Sequence, residues 1–397
     1  MKHLLLLCFI CLGFTAMAQA LQFENNLKTT FEKAKVQNKP VFVEYYNSDC
    51  PVCKKVGELF NNNDKLIRFY CKSFVNYRID ISNISKSDSL FLANTKLSFS
   101  SFPYFLFFDS NENLLHVSAI NLDVDFLISI GTKALNPDER TDGLAYKYNK
   151  GDRSIKTLYA YSQLVQLYNN DSLAIILADD LYKAFPKNTL GNKKSYTITK
   201  NCVNSIENGF FKFWIKNMDE LEGQETDKHK GEEKPVMAEI VRKSIYSKKS
   251  KNWDLEKITE VKKYILLTEL SKNPDAFFWQ HETELMVEQQ KYKDALLIGE
   301  KMLNEDKTAI TANLNTIRHF MTIFKTANEL TTVKQWLDGM VSKVKEPTDK
   351  ANVLYLNAQY LVKTNQKAQA LEAISIAQKY FKENNLDTKE LSKLTDM

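Results

Sequence analysis

The stretch that most constrains this 397-residue chain runs Lys39-Pro-Val-Phe-Val-Glu-Tyr-Tyr-Asn-Ser-Asp-Cys50-Pro-Val-Cys53-Lys-Lys. A short apolar run, Val41 to Tyr46, leads into two cysteines separated by two residues, and the sequence after them can wind as a helix. Pro51 suits the first helical position, where its missing N–H leaves no bond unmade. A C-x-x-C at a strand-to-helix junction reads as a thiol–disulfide exchange site. The alternatives are half of a zinc site or a structural disulfide. Zinc requires a second Cys or His pair at ligand spacing. The other cysteines are isolated and His116, His229, His281 and His319 are scattered, so redox chemistry is favoured and no metal site is expected.

The first residues combine a basic start at Lys2, an apolar middle from Leu4 to Leu12, and small residues at Ala16 and Ala18. This is the pattern of a secretory signal peptide over 1–18, cut after Ala18. A membrane anchor is disfavoured because the apolar core is shorter than a bilayer span requires. Lipidation at Cys11 is disfavoured by the bulky Ile10 before it. Removing the leader takes Cys8 and Cys11 and leaves Cys50, Cys53, Cys71 and Cys202. No other apolar run is long enough to span a membrane. The expectation is an exported protein, periplasmic or extracellular, where disulfides persist. A formal charge of +5 is small for this length and gives no case for a nucleic-acid partner, which would normally show a concentrated basic face.

Apolar residues at Phe23, Leu27, Phe31 and Ala34 recur three or four apart and predict a helix over Leu21 to Asn38, ended by Pro40. Val41 to Tyr46 is then a buried strand, and Val52, Val56, Leu59 and Phe60 continue a helical period. A short helix is predicted over Lys65 to Tyr70, a strand over Phe74 to Ile81, a polar loop over Ser82 to Ser89 and a helix over Leu90 to Leu97. After Ser100-Ser-Phe-Pro103 come the strand Tyr104 to Phe108, a turn, the strand Leu114 to Ala119 and a closing helix, Val124 to Leu135. The order implies a mixed sheet with parallel crossovers and a terminal hairpin, covered by helices on both faces.

With these residues in these places, the region from Phe23 to Leu135 resembles the thioredoxin fold. Besides Cys50-Pro-Val-Cys53, three features carry the resemblance. Glu44 stands six residues before Cys50, Ser101-Phe102-Pro103 leads into a hydrophobic strand, and Lys54 follows the second cysteine. The resemblance implies a buried carboxylate at Glu44 that takes or supplies the proton of Cys53. It implies a cis peptide before Pro103, with Phe102 against the dithiol and backbone groups free to pair with substrate. One departure is Asp49, where thioredoxins usually have Trp. A carboxylate there opposes a thiolate at Cys50, while the helix N-terminus and Lys54 favour it.

After Pro137 the helical period dominates. Ile155 to Tyr168 and Leu173 to Ala184 each present one apolar face, and the hydrophilic stretch from Glu222 to Pro235 marks a linker or loop. Further on, Trp279, Tyr292, Ala295 and Met302, then Leu354, Ala358, Ala370, Ile374 and Ala377, sit at offsets similar to those of tetratricopeptide units, with Trp336 between them. A plain helical bundle is the alternative. The expected architecture is therefore an α/β thioredoxin-like domain over 21–136, a helical domain over 137–221, a linker or loop over 222–235 and an all-α, repeat-like region over 236–397. Cys71 and Cys202 are expected as buried small side chains, and Phe210, Phe211, Phe213 and Trp214 as core.

Exchange needs a thiolate that attacks a substrate sulfur and a second thiol that resolves the mixed disulfide. Cys50, at the exposed helix end, is the expected nucleophile and Cys53, one turn in, the resolver. The redox-active disulfide itself serves as the electron carrier, with no other cofactor. The partners are exported protein thiols or disulfides, served by a membrane electron donor or acceptor. Neither Pro51 nor Val52 selects between reductant and oxidant. The rival reading is an interaction protein whose helical repeats bind a partner while the thioredoxin-like domain only docks.

Overall fold

The computed structural model describes residues 20–99, 101–225, 231–306 and 308–395. The leader expected over 1–18, Ser100, His229 and the middle of the 222–235 segment lie outside them. The chain divides into two compact units between Trp214 and Ile215.

The first unit opens with α1 (Leu27–Gln37), β1 (Val41–Tyr46), α2 (Pro51–Asn62), α3 (Asp64–Ser73), β2 (Val75–Asp80), α4 (Lys86–Thr95), β3 (Tyr104–Phe108), β4 (Leu114–Ala119) and α5 (Val124–Leu135). The sheet order is β2-β1-β3-β4, with β1 parallel to β2 and the β1–β3 and β3–β4 pairs antiparallel. Side chains alternate across the pleat, so β1 serves two cores. Val41, Val43 and Tyr45 join Phe31, Ala34, Phe91 and Leu92 from α1 and α4 on one face. Phe42 turns to the other face and packs with Phe105 and Phe107 against Val56, Phe60, Tyr70 and Leu127 of α2, α3 and α5. Phe42 is fully buried, its ring 4.7 Å from those of Tyr70 and Phe105. Truncating it to Ala costs about 3–5 kcal/mol.

Local chemistry shifts two boundaries from the sequence expectation. α1 begins at Leu27 rather than Leu21, because Asn26 Oδ1 accepts from Thr29 N–H at 2.9 Å and caps the helix there. Residues before it run extended beside β2, with Glu24 N–H donating to Asn76 O at 2.9 Å. α4 begins at Lys86 rather than Leu90, since Ser85 Oγ accepts from Asp88 N–H at 3.1 Å.

Five more helices complete the first unit: α6 (Leu144–Asn149), α7 (Ile155–Leu167), α8 (Asp171–Ala184), α9 (Lys193–Cys202) and α10 (Gly209–Trp214). Leu144 and Leu164 join the α1/α4 face of the sheet core, so the sheet's packing continues past residue 136. Phe210, Phe211 and Trp214 are fully buried.

The second unit is all-helical: α11 (Met218–Leu221), α12 (Glu233–Ile245), α13 (Leu255–Leu267), α14 (Trp279–Glu288), α15 (Tyr292–Glu305), α16 (Ile310–Ile323), α17 (Ala327–Val341), α18 (Pro347–Lys363), α19 (Lys367–Glu383) and α20 (Lys389–Thr395). Helix pairs begin at Trp279, Ile310 and Pro347 around one core that includes Ala295, Ile317, Phe320, Leu337, Ala358 and Ala377. Gly299 permits a close approach there: a Cβ on it would stand 2.7 Å from atoms of both Phe320 and Trp336. The segment expected as a linker over 222–235 ends inside a helix. Glu233 is buried, and its carboxylate accepts from the N–H groups of Gly223, Glu225 and Gly231 at 2.9–3.0 Å.

Candidate active site

β1 hands the chain to α2 through a short fixed loop. Asp80, at the end of β2, accepts from Ser48 N–H at 3.2 Å and Ser82 N–H at 3.0 Å. Asn47 Oδ1 accepts from Asp49 N–H at 2.7 Å, and Asn47 O accepts from Cys50 N–H at 3.0 Å. This arrangement delivers Cys50 to the N-cap of α2, where its Sγ accepts from Cys53 N–H at 3.5 Å. Pro51 occupies the first helical turn, as its spacing implies.

The two sulfurs are thiols in different surroundings. Cys50 is half-buried, whereas Cys53 is only 4% exposed. Partial burial pushes the Cys50 thiol up, but the Cys53 thiol, the N–H groups of Cys53 and Val52 and the charge of Lys54 outweigh it, leaving Cys50 below its ordinary value. Burial drives Cys53 the other way, to about 12, with Cys50 and the Glu44 carboxylate adding to the rise against an N–H donated by Asn47.

Glu44 projects from β1 on the same face as Phe42, under α2, and is fully buried. Its register partner on β2 is Arg78, whose Nε donates to Glu44 Oε2 at 2.8 Å. Oε1 has no hydrogen-bond partner among the described residues. Burial raises the Glu44 carboxyl more than Arg78 lowers it. The guanidinium is held in turn over the Phe23 ring at 4.1 Å and near that of Tyr46 at 5.5 Å.

The Phe102–Pro103 bond is cis. Cys50 Sγ donates to Phe102 O at 3.8 Å, so the group that meets the dithiol is the Phe102 carbonyl, while its ring lies 5.3 Å from that of Tyr45. Pro103 is buried, and Asp49 and Lys54 are exposed beside the sulfur pair. All seven residues singled out in the sequence belong to this one end of the sheet or line the loop against it. Sequence reasoning missed Arg78, Asn47 and Asp80. No spacing signal pointed to Arg78, because Tyr77 and Ile79 set the apolar parity on the opposite face and its tie to Glu44 comes from strand register.

The expectation of buried thiols fails for Cys71, which is exposed: α3 turns Leu66, Ile67 and Tyr70 inward and leaves the next position to solvent. Cys202 is buried, and burial raises its thiol strongly. No cluster of three potential metal ligands occurs among the described residues, and no helix among them is long and apolar enough to cross a membrane.

No curated protein matches the chain. Residues 27–120 match a family model described as a thioredoxin-like domain. That span runs from the start of α1 to the end of β4 and contains Cys50, Cys53, Glu44, Arg78 and Pro103. The chain thus carries a thioredoxin-like domain in its N-terminal part, followed by an all-helical region.

Proposed function

We propose that the protein is an exported thiol–disulfide oxidoreductase that exchanges disulfides with protein substrates through Cys50 and Cys53. One observation carries this reading: of two neighbouring thiols, one caps a helix within reach of solvent and the other is buried above a carboxyl. In the reductive direction the Cys50 thiolate attacks a substrate disulfide. A Cys50–substrate bond forms, and the departing substrate sulfur takes a proton. Cys53 then gives its proton to Glu44, through a water, and attacks the Cys50 sulfur. The second substrate sulfur leaves as a thiolate and takes the proton that Glu44 returns, and Cys50 and Cys53 end as a disulfide with two electrons transferred. The oxidative direction is the same sequence reversed.

Glu44 suits the proton transfer because burial raises its carboxyl, so that it takes up a proton more readily than an exposed carboxylate does. Arg78 acts as a positioning residue that holds one carboxylate oxygen and leaves Oε1 for the proton. The basic–apolar–small pattern of residues 1–18 supports export. The helical region is assigned the binding or positioning of partners, on the pairing of its helices from Trp279 onward.

Insulin reduction, or oxidation of a dithiol peptide, tests the reading. Wild type should turn over and the Cys50→Ser/Cys53→Ser variant should not. Equal rates would leave only an interaction protein. Cys53→Ala should accumulate mixed disulfides through Cys50 on non-reducing gels, and their absence would remove Cys50 as the nucleophile.

A further inference from the structure

β4 lies at the edge of the sheet, and a cavity of about 530 Å³ runs along it between α5 and α7. That volume falls in the range of ligand sites, about 300–1,000 Å³. The chain itself covers the first part of this edge. Val117 N–H donates to Thr141 Oγ1 at 3.1 Å, and Asp142 N–H donates to Leu115 O at 3.2 Å. In an antiparallel strand, alternate residues direct both N–H and C=O to the same side. Leu115 and Val117 thus face outward, and so does Ala119, which is exposed and lines the cavity. The cover stops at Val117 N–H, leaving the Val117 C=O and Ala119 N–H directed outward beyond it.

The two walls differ in chemistry. The α5 side presents Lys133 beside His116, which is only 5% exposed and whose Nδ1 has no hydrogen-bond partner among the described residues. The charges of Lys133 and Arg140 both bear on that imidazole, while the nearby Glu139 is already engaged by Lys156 at 3.1 Å. This wall is therefore positive. The α7 side presents Ala160, Leu164 and Leu167 together with the uncharged Tyr159 and Gln163, and its Lys156 is the one held by Glu139. A strand added to the edge would send alternate side chains to opposite walls, so acidic residues at one parity and apolar ones at the other satisfy both.

Position ties this groove to the dithiol. Tyr104, directly after Pro103, pairs with Tyr45 of β1 on one side and with Ala119 on the other. At about 4.7–4.9 Å per strand, Ala119 stands roughly 10 Å from the end of β1 that leads to Cys50. We propose that the β4 edge groove docks an extended segment of alternating acidic and apolar residues from the exchange substrate, as a short added strand beside Ala119. Naming the occupant as the exchange substrate rests on the proposed function, whereas the groove's preference for such a segment does not.

The Cys50→Ser/Cys53→Ser protein tests this without chemistry, by fluorescence anisotropy of a labelled octapeptide of alternating valine and glutamate. It should bind at least about tenfold more tightly than a valine–lysine counterpart. Ala119→Pro removes the outward N–H, Lys133→Glu reverses the wall's charge, and each should weaken binding about tenfold. Lys133 is exposed on α5, so its variant keeps the test valid if Ala119→Pro fails to fold by circular dichroism. Equal affinity for both peptides, or affinity untouched by Lys133→Glu, overturns the proposal. Complete displacement by an equal concentration of benzoate also overturns it, in favour of a pocket for small anions. Peptide binding without insulin turnover by wild type upholds the groove and removes the oxidoreductase reading. Turnover without peptide binding does the reverse.

Discussion

Glu44 in the α/β unit and Asp275 in the helical unit are both largely withdrawn from water, yet they hold protons oppositely. Burial raises Glu44, and Arg78, reaching only Oε2, does not offset it. Burial also acts on Asp275, whose side chain is 13% exposed, but the hydrogen bonds and charges of Lys262 and Lys301 outweigh it and hold the carboxyl down. Lys262 is paired in addition with Glu282. The difference lies in completeness of pairing. A carboxylate with cations on both oxygens stays ionised and acts as structure, whereas the proton role proposed for Glu44 uses the oxygen that has no hydrogen-bond partner among the described residues.

The largest effect that would break this contrast is on turnover. Glu44→Gln should lower exchange by about 10²–10⁴-fold, the range of a lost general acid–base group, while Asp275→Asn should leave it unchanged, both read by insulin reduction. If the two variants lose activity alike, the distinction is wrong. Their pH signatures should also have opposite signs. A carboxyl raised above its ordinary 4.5 binds more protons in the folded state, so Glu44 costs stability as pH rises past that value. Glu44→Gln should then gain on wild type in urea titrations at neutral pH, and the two should converge in acid. Asp275, held below its ordinary 3.8, contributes stability that is complete above that value and fades as pH falls through the folded value. Asp275→Asn should therefore cost about 1–3 kcal/mol at neutral pH and progressively less in acid.

Next in size is Gly299→Ala. The new methyl meets Phe320 and Trp336, and such overpacking costs about 1–3 kcal/mol. Part of this is offset by the better helix former, about 0.5–1 kcal/mol. Calorimetry should show a lower melting temperature with exchange unchanged. The smallest effect belongs to Lys54→Ala, which removes an exposed charge near Cys50. Exchange should fall about two- to threefold at low salt and not at all in concentrated salt, where the charge is screened.

Much of the sheet domain was legible because its signals are local. Val41 to Tyr46 and Tyr104 to Phe108 are apolar runs bounded by prolines and turn residues, and both strands appear with those bounds. The start of α4 was also legible in principle, since Ser85-Lys-Ser-Asp88 carries a helix-start spacing that hydrophobic periodicity alone passes over. Arg78 was not, because its tie to Glu44 follows from strand register, and residues paired across a crossover share no spacing rule. The reach of α7 onto the sheet core was hidden for a similar reason. Its apolar face was evident, but nothing in a single helix names the surface it covers. The β4 edge groove needs both facts at once, and so only the folded chain exposes it.

The central claim is that one thiol is poised for attack while its neighbour waits, protonated, beneath it. The direct test is the pH dependence of alkylation of the reduced protein by iodoacetamide, with each cysteine followed by mass spectrometry. Cys50 should react with a midpoint below the ordinary thiol value of 9.0, while Cys53 stays unmodified until pH approaches about 12. Cys53 reacting first, or both thiols titrating together near 9.0, would contradict the account.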